Sequence, residues 1–101
     1  MIRMNPKTQR RITASGGSVI VDPFVFPGLI RSRRILVDHE VYFAEPVDPS
    51  SYQVFEHEGV TVYVHTSLRV KKELRLSFSG QRPFEQLEVR GVRRLMAENV
   101  W

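Results

Sequence analysis

The chain contains no cysteine, and that one absence excludes more chemistry than any residue present suggests. Disulfides, thiolate nucleophiles, cysteine-ligated zinc and all-cysteine iron–sulfur ligation each need a thiol, and none is available. Long apolar runs are also missing, since no stretch approaches the ~18 residues of a membrane-spanning helix. The opening MIRMNPKTQRR lacks the apolar core of a signal peptide, so a cytoplasmic protein is the expectation. Neither a G-x-S-x-G elbow nor a phosphate-cradling loop occurs: Gly16-Gly17 precedes a strand pattern and lacks the later Gly-Lys-Ser/Thr. These absences predict a protein that is not an enzyme and carries no cofactor.

Among the 101 residues, 42% are hydrophobic and 26% charged, the composition of an ordinary globular protein rather than a disordered one. That length suffices for a single core without a disulfide or structural metal. One domain over residues 1–101 is expected, with residues 1–15 as its flexible part. The formal charge of +4 is unevenly spread. Residues 1–34 hold seven Lys/Arg and one acid, residues 35–65 six acids and no Lys/Arg, and residues 66–101 eight Lys/Arg and four acids. Strands distant in sequence can be neighbours in a sheet, so the favoured expectation is that acidic and basic strands pair and neutralise each other across the ladder.

The clearest local signal is Tyr52 to Val64, YQVFEHEGVTVYV. Valines and aromatics alternate on both sides of Glu56-His57-Glu58-Gly59, the period-2 pattern of a β-hairpin with a glycine-containing turn. Val60, Val62 and Val64 share one face, with Thr61, Tyr63 and His65 on the other. Upstream, Ser15 to Ser18 marks a turn and Val19–Val21 a strand, broken at Asp22-Pro23 because proline cannot donate to a central ladder. From Ile35 to Phe43 a long strand places His39 on a mostly apolar face. Glu73 to Phe78 is a strand with Leu74, Leu76 and Phe78 inward, and Phe84 to Val89 is another. Thr66 to Lys72 reads as a helical turn or a loop. In Gly91 to Trp101, Val92, Leu95 and Met96 fall at helical spacing, which predicts a short C-terminal helix. The fold class is therefore mainly β: a compact antiparallel domain, either a partly closed barrel or a sandwich.

Tyr52-Gln53-Val54-Phe55-Glu56, Gly59 to Val64, Leu68, Leu74 to Gly80 and Leu87 to Val92, together with Gly16 to Val21, resemble the small HesB-like proteins. The similarity is to the branch carrying a paired cysteine or selenocysteine motif, itself distantly similar to the A-type iron–sulfur carriers. The resemblance implies a compact β-rich scaffold and, in those carriers, cluster binding through cysteines. Where the related branch has its cysteine pair, this chain reads Pro23-Phe24-Val25-Phe26-Pro27-Gly28-Leu29-Ile30, so the resemblance transfers a fold and no ligand.

Three sets of residues are candidates for function. Phe24, Phe26, Leu29 and Ile30, with the C-terminal Trp101, form an apolar set that predicts homodimerisation or docking to a protein partner. Arg31, Arg33 and Arg34, with Lys71 and Lys72, support the alternative of nucleic-acid binding through arginine-rich loops. His39, His57 and His65, beside acids, are the candidate metal ligands, although the strand pattern aims the three side chains in different directions.

Overall fold

The computed structural model describes residues 1–25, 36–81, 85–93 and 95–96. Among the described residues, eight strands and one α-helix follow one another as β1 (Ile2–Arg3), α1 (Pro6–Ala14), β2 (Ser18–Val25), β3 (Leu36–Tyr42), β4 (Tyr52–His57), β5 (Val60–His65), β6 (Arg69–Ser79), β7 (Gln86–Arg93) and β8 (Leu95–Met96). They form two sheets, a three-stranded sheet ordered β1-β6-β7 and a five-stranded sheet ordered β4-β5-β2-β3-β8. The arrangement is a sandwich without barrel closure. Both sheets are mixed, because β1 runs parallel to β6 and β2 parallel to β5.

Alternation along the strands builds the core. Val19 and Val21 of β2 and Val60, Val62 and Val64 of β5 are fully buried and meet Leu74, Leu76, Val89 and Val92 from the smaller sheet. Each such side chain removed from water contributes roughly 1.5–3 kcal/mol before entropy is counted. The hairpin forms as its pattern predicts: His57 pairs with Val60 around Glu58 and Gly59, both at positive φ, the backbone of a two-residue hairpin turn.

Four points differ from the sequence pattern. First, residues 1–15 form β1 beside β6 and a capped helix. Asn5 Oδ1 accepts the Thr8 N–H at 2.8 Å and Pro6 opens the first turn. At the other end Gly16, at φ +109°, lets its own N–H and that of Gly17 return to the carbonyls of Thr13 and Ile12, closing a Schellman motif. Ile12 and Thr8 are the buried residues of this polar helix. Second, β2 runs on through Asp22-Pro23 to Val25. Its parallel pairing with β5 stops at Val21↔Val64, so Pro23 sits where the strand is an edge on that side and proline is tolerated. Third, the C-terminal helix is absent where the structure describes its residues. Gly91 to Arg93 continue β7 with Val92 opposite Val70, and Leu95–Met96 pair with Val37 and Leu36, ladder pairing having overridden the helical spacing. Residues 97–101 lie outside the described residues.

The fourth point concerns charge. The strands of the larger sheet contain no Lys or Arg and four acids, Asp22, Asp38, Glu40 and Glu56. Those of the smaller sheet contain seven Lys/Arg and two acids, Glu73 and Glu88. Acidic and basic strands thus occupy separate sheets instead of alternating within one. Ion pairs of Arg3, Arg11, Arg75 and Arg90 go to Glu73, Glu85 and Glu88, none of them from residues 35–65.

Candidate functional site

Because the valines of β5 face inward, Thr61, Tyr63 and His65 face outward, and the register carries that face across the larger sheet. Tyr52 pairs with His65, Ile20 with both Tyr63 and Tyr42, and Asp22 with Glu40. Asp22 is the hub. The Tyr52 hydroxyl donates to its Oδ1 at 2.7 Å and the Tyr42 hydroxyl donates to its Oδ2. Ionising either phenol would turn a donor into a second anion beside Asp22, so this hydrogen bond, followed by desolvation and the Asp22 charge, pushes Tyr52 up to about 12 and Tyr42 higher still. The Tyr52 ring meets the rings of His65 and Tyr63 edge-on, with centroids 5.4 and 6.3 Å away. Phe24, Tyr42 and Val54 are all substantially exposed, at 40%, 39% and 50%. All three belong to this outward face, two residues along their strands from Asp22, Glu40 and Tyr52 respectively.

On the inward side, β3 overhangs the narrower sheet and leaves an open cleft of about 840 Å³ against β7. Val41, Phe43, Phe78, Leu87 and Val89 give it apolar walls, and the rings of Phe43 and Phe78 stack at 6.4 Å. Arg11 covers the Phe78 ring at 3.8 Å and pairs with Glu85 at 3.0 Å. His39 Nε2 donates to the Val89 carbonyl at 3.1 Å, which places a ring proton on that nitrogen. Among the described residues lining the cleft there is no Ser, Thr, Tyr, Lys or Cys, hence no hydroxyl, amine or thiol nucleophile.

The other histidines point elsewhere. His65 Nδ1 accepts the Ser67 N–H at 3.1 Å and meets Ser67 Oγ at 2.7 Å, and His57 lies exposed at the hairpin turn, 3.9 Å from Glu58. Among the described residues no three His, Asp or Glu side chains gather closely enough to hold a metal ion. Of the apolar set, Phe24 is on the outward face; Phe26, Leu29, Ile30 and Trp101 lie outside the described residues. So do Arg31, Arg33 and Arg34, whereas Lys71 and Lys72 are exposed on β6.

Two groupings were not foreseen from the sequence. One is the Asp22, Tyr42, Tyr52 cluster, whose members come from three strands. The other is a row of arginines on the smaller sheet, where Arg3 pairs in register with Arg75 and Arg75 with Arg90. Their side chains are 70%, 63% and 76% exposed. Glu73 serves two of them, 2.8 Å from Arg75 Nε and 3.7 Å from Arg3 Nε, and the Arg75 hydrogen bond, ahead of the Arg3 charge, holds its carboxyl below the ordinary range. The parallel β1–β6 pairing behind this row has no local sequence signature.

No curated protein and no solved structure matches the chain. A family model does match, over residues 1–92, which takes in every strand from β1 to the end of β7 but for its last residue. The chain belongs to the CC/Se motif-containing family, as a member with no cysteine of its own.

Proposed function

We propose that this chain is a non-catalytic β scaffold of HesB-like type, which acts by homodimerisation or by docking to a protein partner through an apolar surface centred on Phe24. The observation that carries this reading is the outward face of the larger sheet, on which Phe24, Tyr42 and Val54 are each exposed. Phe24 also opens the Phe24-to-Ile30 apolar run, at the position where the resembling branch carries its cysteine pair. In a family described by a paired-residue motif, a member without cysteine lacks the thiols, which weighs for binding over thiol chemistry. Aromatic side chains on a rigid sheet suit that task because they offer large contact area at low entropic cost.

Sedimentation equilibrium over a concentration series tests it. At about 0.5 M salt, where ionic contacts are screened, wild-type protein should associate and Phe24→Asp should remain monomeric. A concentration-independent monomer mass for the wild type would contradict homodimerisation, and unchanged association of Phe24→Asp would move the contact elsewhere.

Nucleic-acid binding is the second reading, and the exposed row Arg3, Arg75, Arg90 with Lys71 and Lys72 favours it. It requires binding to a single-stranded oligonucleotide that weakens steeply with salt and with Arg33→Ala or Arg75→Ala.

A further inference from the structure

Each sheet of the sandwich places like charges directly opposite one another on its outward face. On the smaller sheet these are Arg3, Arg75 and Arg90, which outnumber Glu73 and Glu88, the acids of its strands that pair with them. On the larger sheet Asp22 stands opposite Glu40, with Glu56 further along, and its strands contain no Lys or Arg. Like charges opposed across a ladder destabilise their own sheet. The hydroxyls of Tyr42 and Tyr52 satisfy the Asp22 oxygens as hydrogen-bond acceptors without cancelling its charge. Glu40 and Glu56 are exposed.

The two rows have opposite sign and the same pitch, since neighbouring strands in either sheet are ~4.8 Å apart. A polyanion would meet only the excess positive charge of the smaller sheet and would be repelled by the carboxylates of the larger one. A second copy of this chain satisfies both. We propose that the arginine face of one copy docks on the tyrosine and carboxylate face of the next, Arg75 and Arg90 meeting Asp22 and Glu40 beside the exposed Tyr42. Arginine and tyrosine are the residues protein interfaces favour, and guanidinium pairs well with carboxylate and stacks on phenol rings. The two surfaces differ, so the contact is heterologous: it propagates from copy to copy, or closes into a ring. The net charge of +4 on each copy opposes assembly, which sets in as concentration rises.

This contact does not depend on Phe24, and the test keeps Phe24 intact. One variant carries Arg75→Glu and Arg90→Glu, the other Glu40→Lys and Glu56→Lys. All four positions are exposed, and Asp22 is left in place. Masses are read by light scattering at about 0.05 M and about 0.5 M salt, which bracket strong and weak screening. At low salt the wild type should grow with concentration beyond the mass it has at high salt, each variant alone should stay at its high-salt mass, and their equimolar mixture should grow again, because the reversed faces are themselves opposite in sign. High salt should return every sample to the mass that the Phe24 contact alone supports. A wild type whose mass does not fall with salt, a mixture that stays at its high-salt mass, or either variant growing at low salt as the wild type does would overturn the proposal. A salt-insensitive dimer in every sample, with no growth at low salt, would overturn it while leaving the Phe24 reading in place. Should charge reversal unfold either variant, Arg75→Gln with Arg90→Gln and Glu40→Gln with Glu56→Gln repeat the comparison, and their mixture, with one intact face from each, should gain a single contact.

Discussion

Alanine at Gly91 should unfold much of the advantage that the sandwich holds over the unfolded chain. Val70 pairs with Val92 and Arg75 with Arg90, so four residues of β6 stand against Gly91 alone on β7. That bulge presses the β6 backbone onto the glycine. A Cβ there would overlap the Glu73 carbonyl oxygen and lie 3.1 Å from the Glu73 carbonyl carbon and 3.4 Å from Leu74 Cα. All three are backbone atoms, so no side-chain rotation makes room, and Leu74 itself is fully buried. The glycine also holds φ at +96°, which costs an L-residue about 1–2 kcal/mol. Forcing the strands apart adds an overpacking cost of about 1–3 kcal/mol. The total, about 2–5 kcal/mol, is a large share of the ~5–15 kcal/mol that stabilises a domain of this size. Gly16→Ala is the control: φ is +109° there, but nothing lies within 4 Å, so only the backbone cost of about 1 kcal/mol remains. Urea unfolding followed by far-ultraviolet circular dichroism should show the Gly91→Ala midpoint lowered by on the order of 2 M, several times the shift for Gly16→Ala. Equal midpoints for the two variants would refute the crowding argument.

Other residues give smaller, separable effects. The phenols held by Asp22 keep their protons more tightly in the folded state, so the stability they contribute is intact below pH ~10 and is lost as pH rises through about 12. Site-resolved NMR titration should find Tyr52 ionising near 12 and Tyr42 above it, with Asp22→Asn moving both down; ionisation of both at the ordinary value in the wild type would exclude the hydrogen bonds. Leu74→Ala should cost about 2–5 kcal/mol, and Val54→Ala, on the exposed face, less than about 0.5 kcal/mol, by the same urea assay. Asn5→Ala should cost about 1 kcal/mol through loss of the cap on the Thr8 N–H, and Asn5→Ser should restore most of it.

Period-2 patterning made most strands legible. Val60, Val62 and Val64 turned inward as their alternation requires, and the mostly apolar side of the Ile35-to-Phe43 run carried His39 to the inner side of β3, where it reaches Val89. The N-terminal helix was missed because it buries only Thr8 and Ile12, too few for an apolar stripe, although Asn5, Pro6 and Gly16 were its end signals. At the other end Val92, Leu95 and Met96 have helical spacing, yet pairing with Val70, Val37 and Leu36 decides their conformation. Long-range pairing was the larger gap. Nothing near Asp22 in sequence announces Tyr42 or Tyr52, and nothing near Arg3 announces Arg75, because those contacts follow from which strands become neighbours. The segregation of charge between sheets was hidden for the same reason: blocks of sequence fix the sign of each strand but not the company it keeps.

The docking scaffold proposed above needs no metal. Elemental mass spectrometry on untagged protein, purified without chelator and then offered zinc and ferrous iron, tests that most directly. Metal at background level is the expected result. Near-stoichiometric metal, lost on His39→Ala or His65→Ala, would mean that a histidine and carboxylate ligand set has replaced the cysteines, and would contradict it.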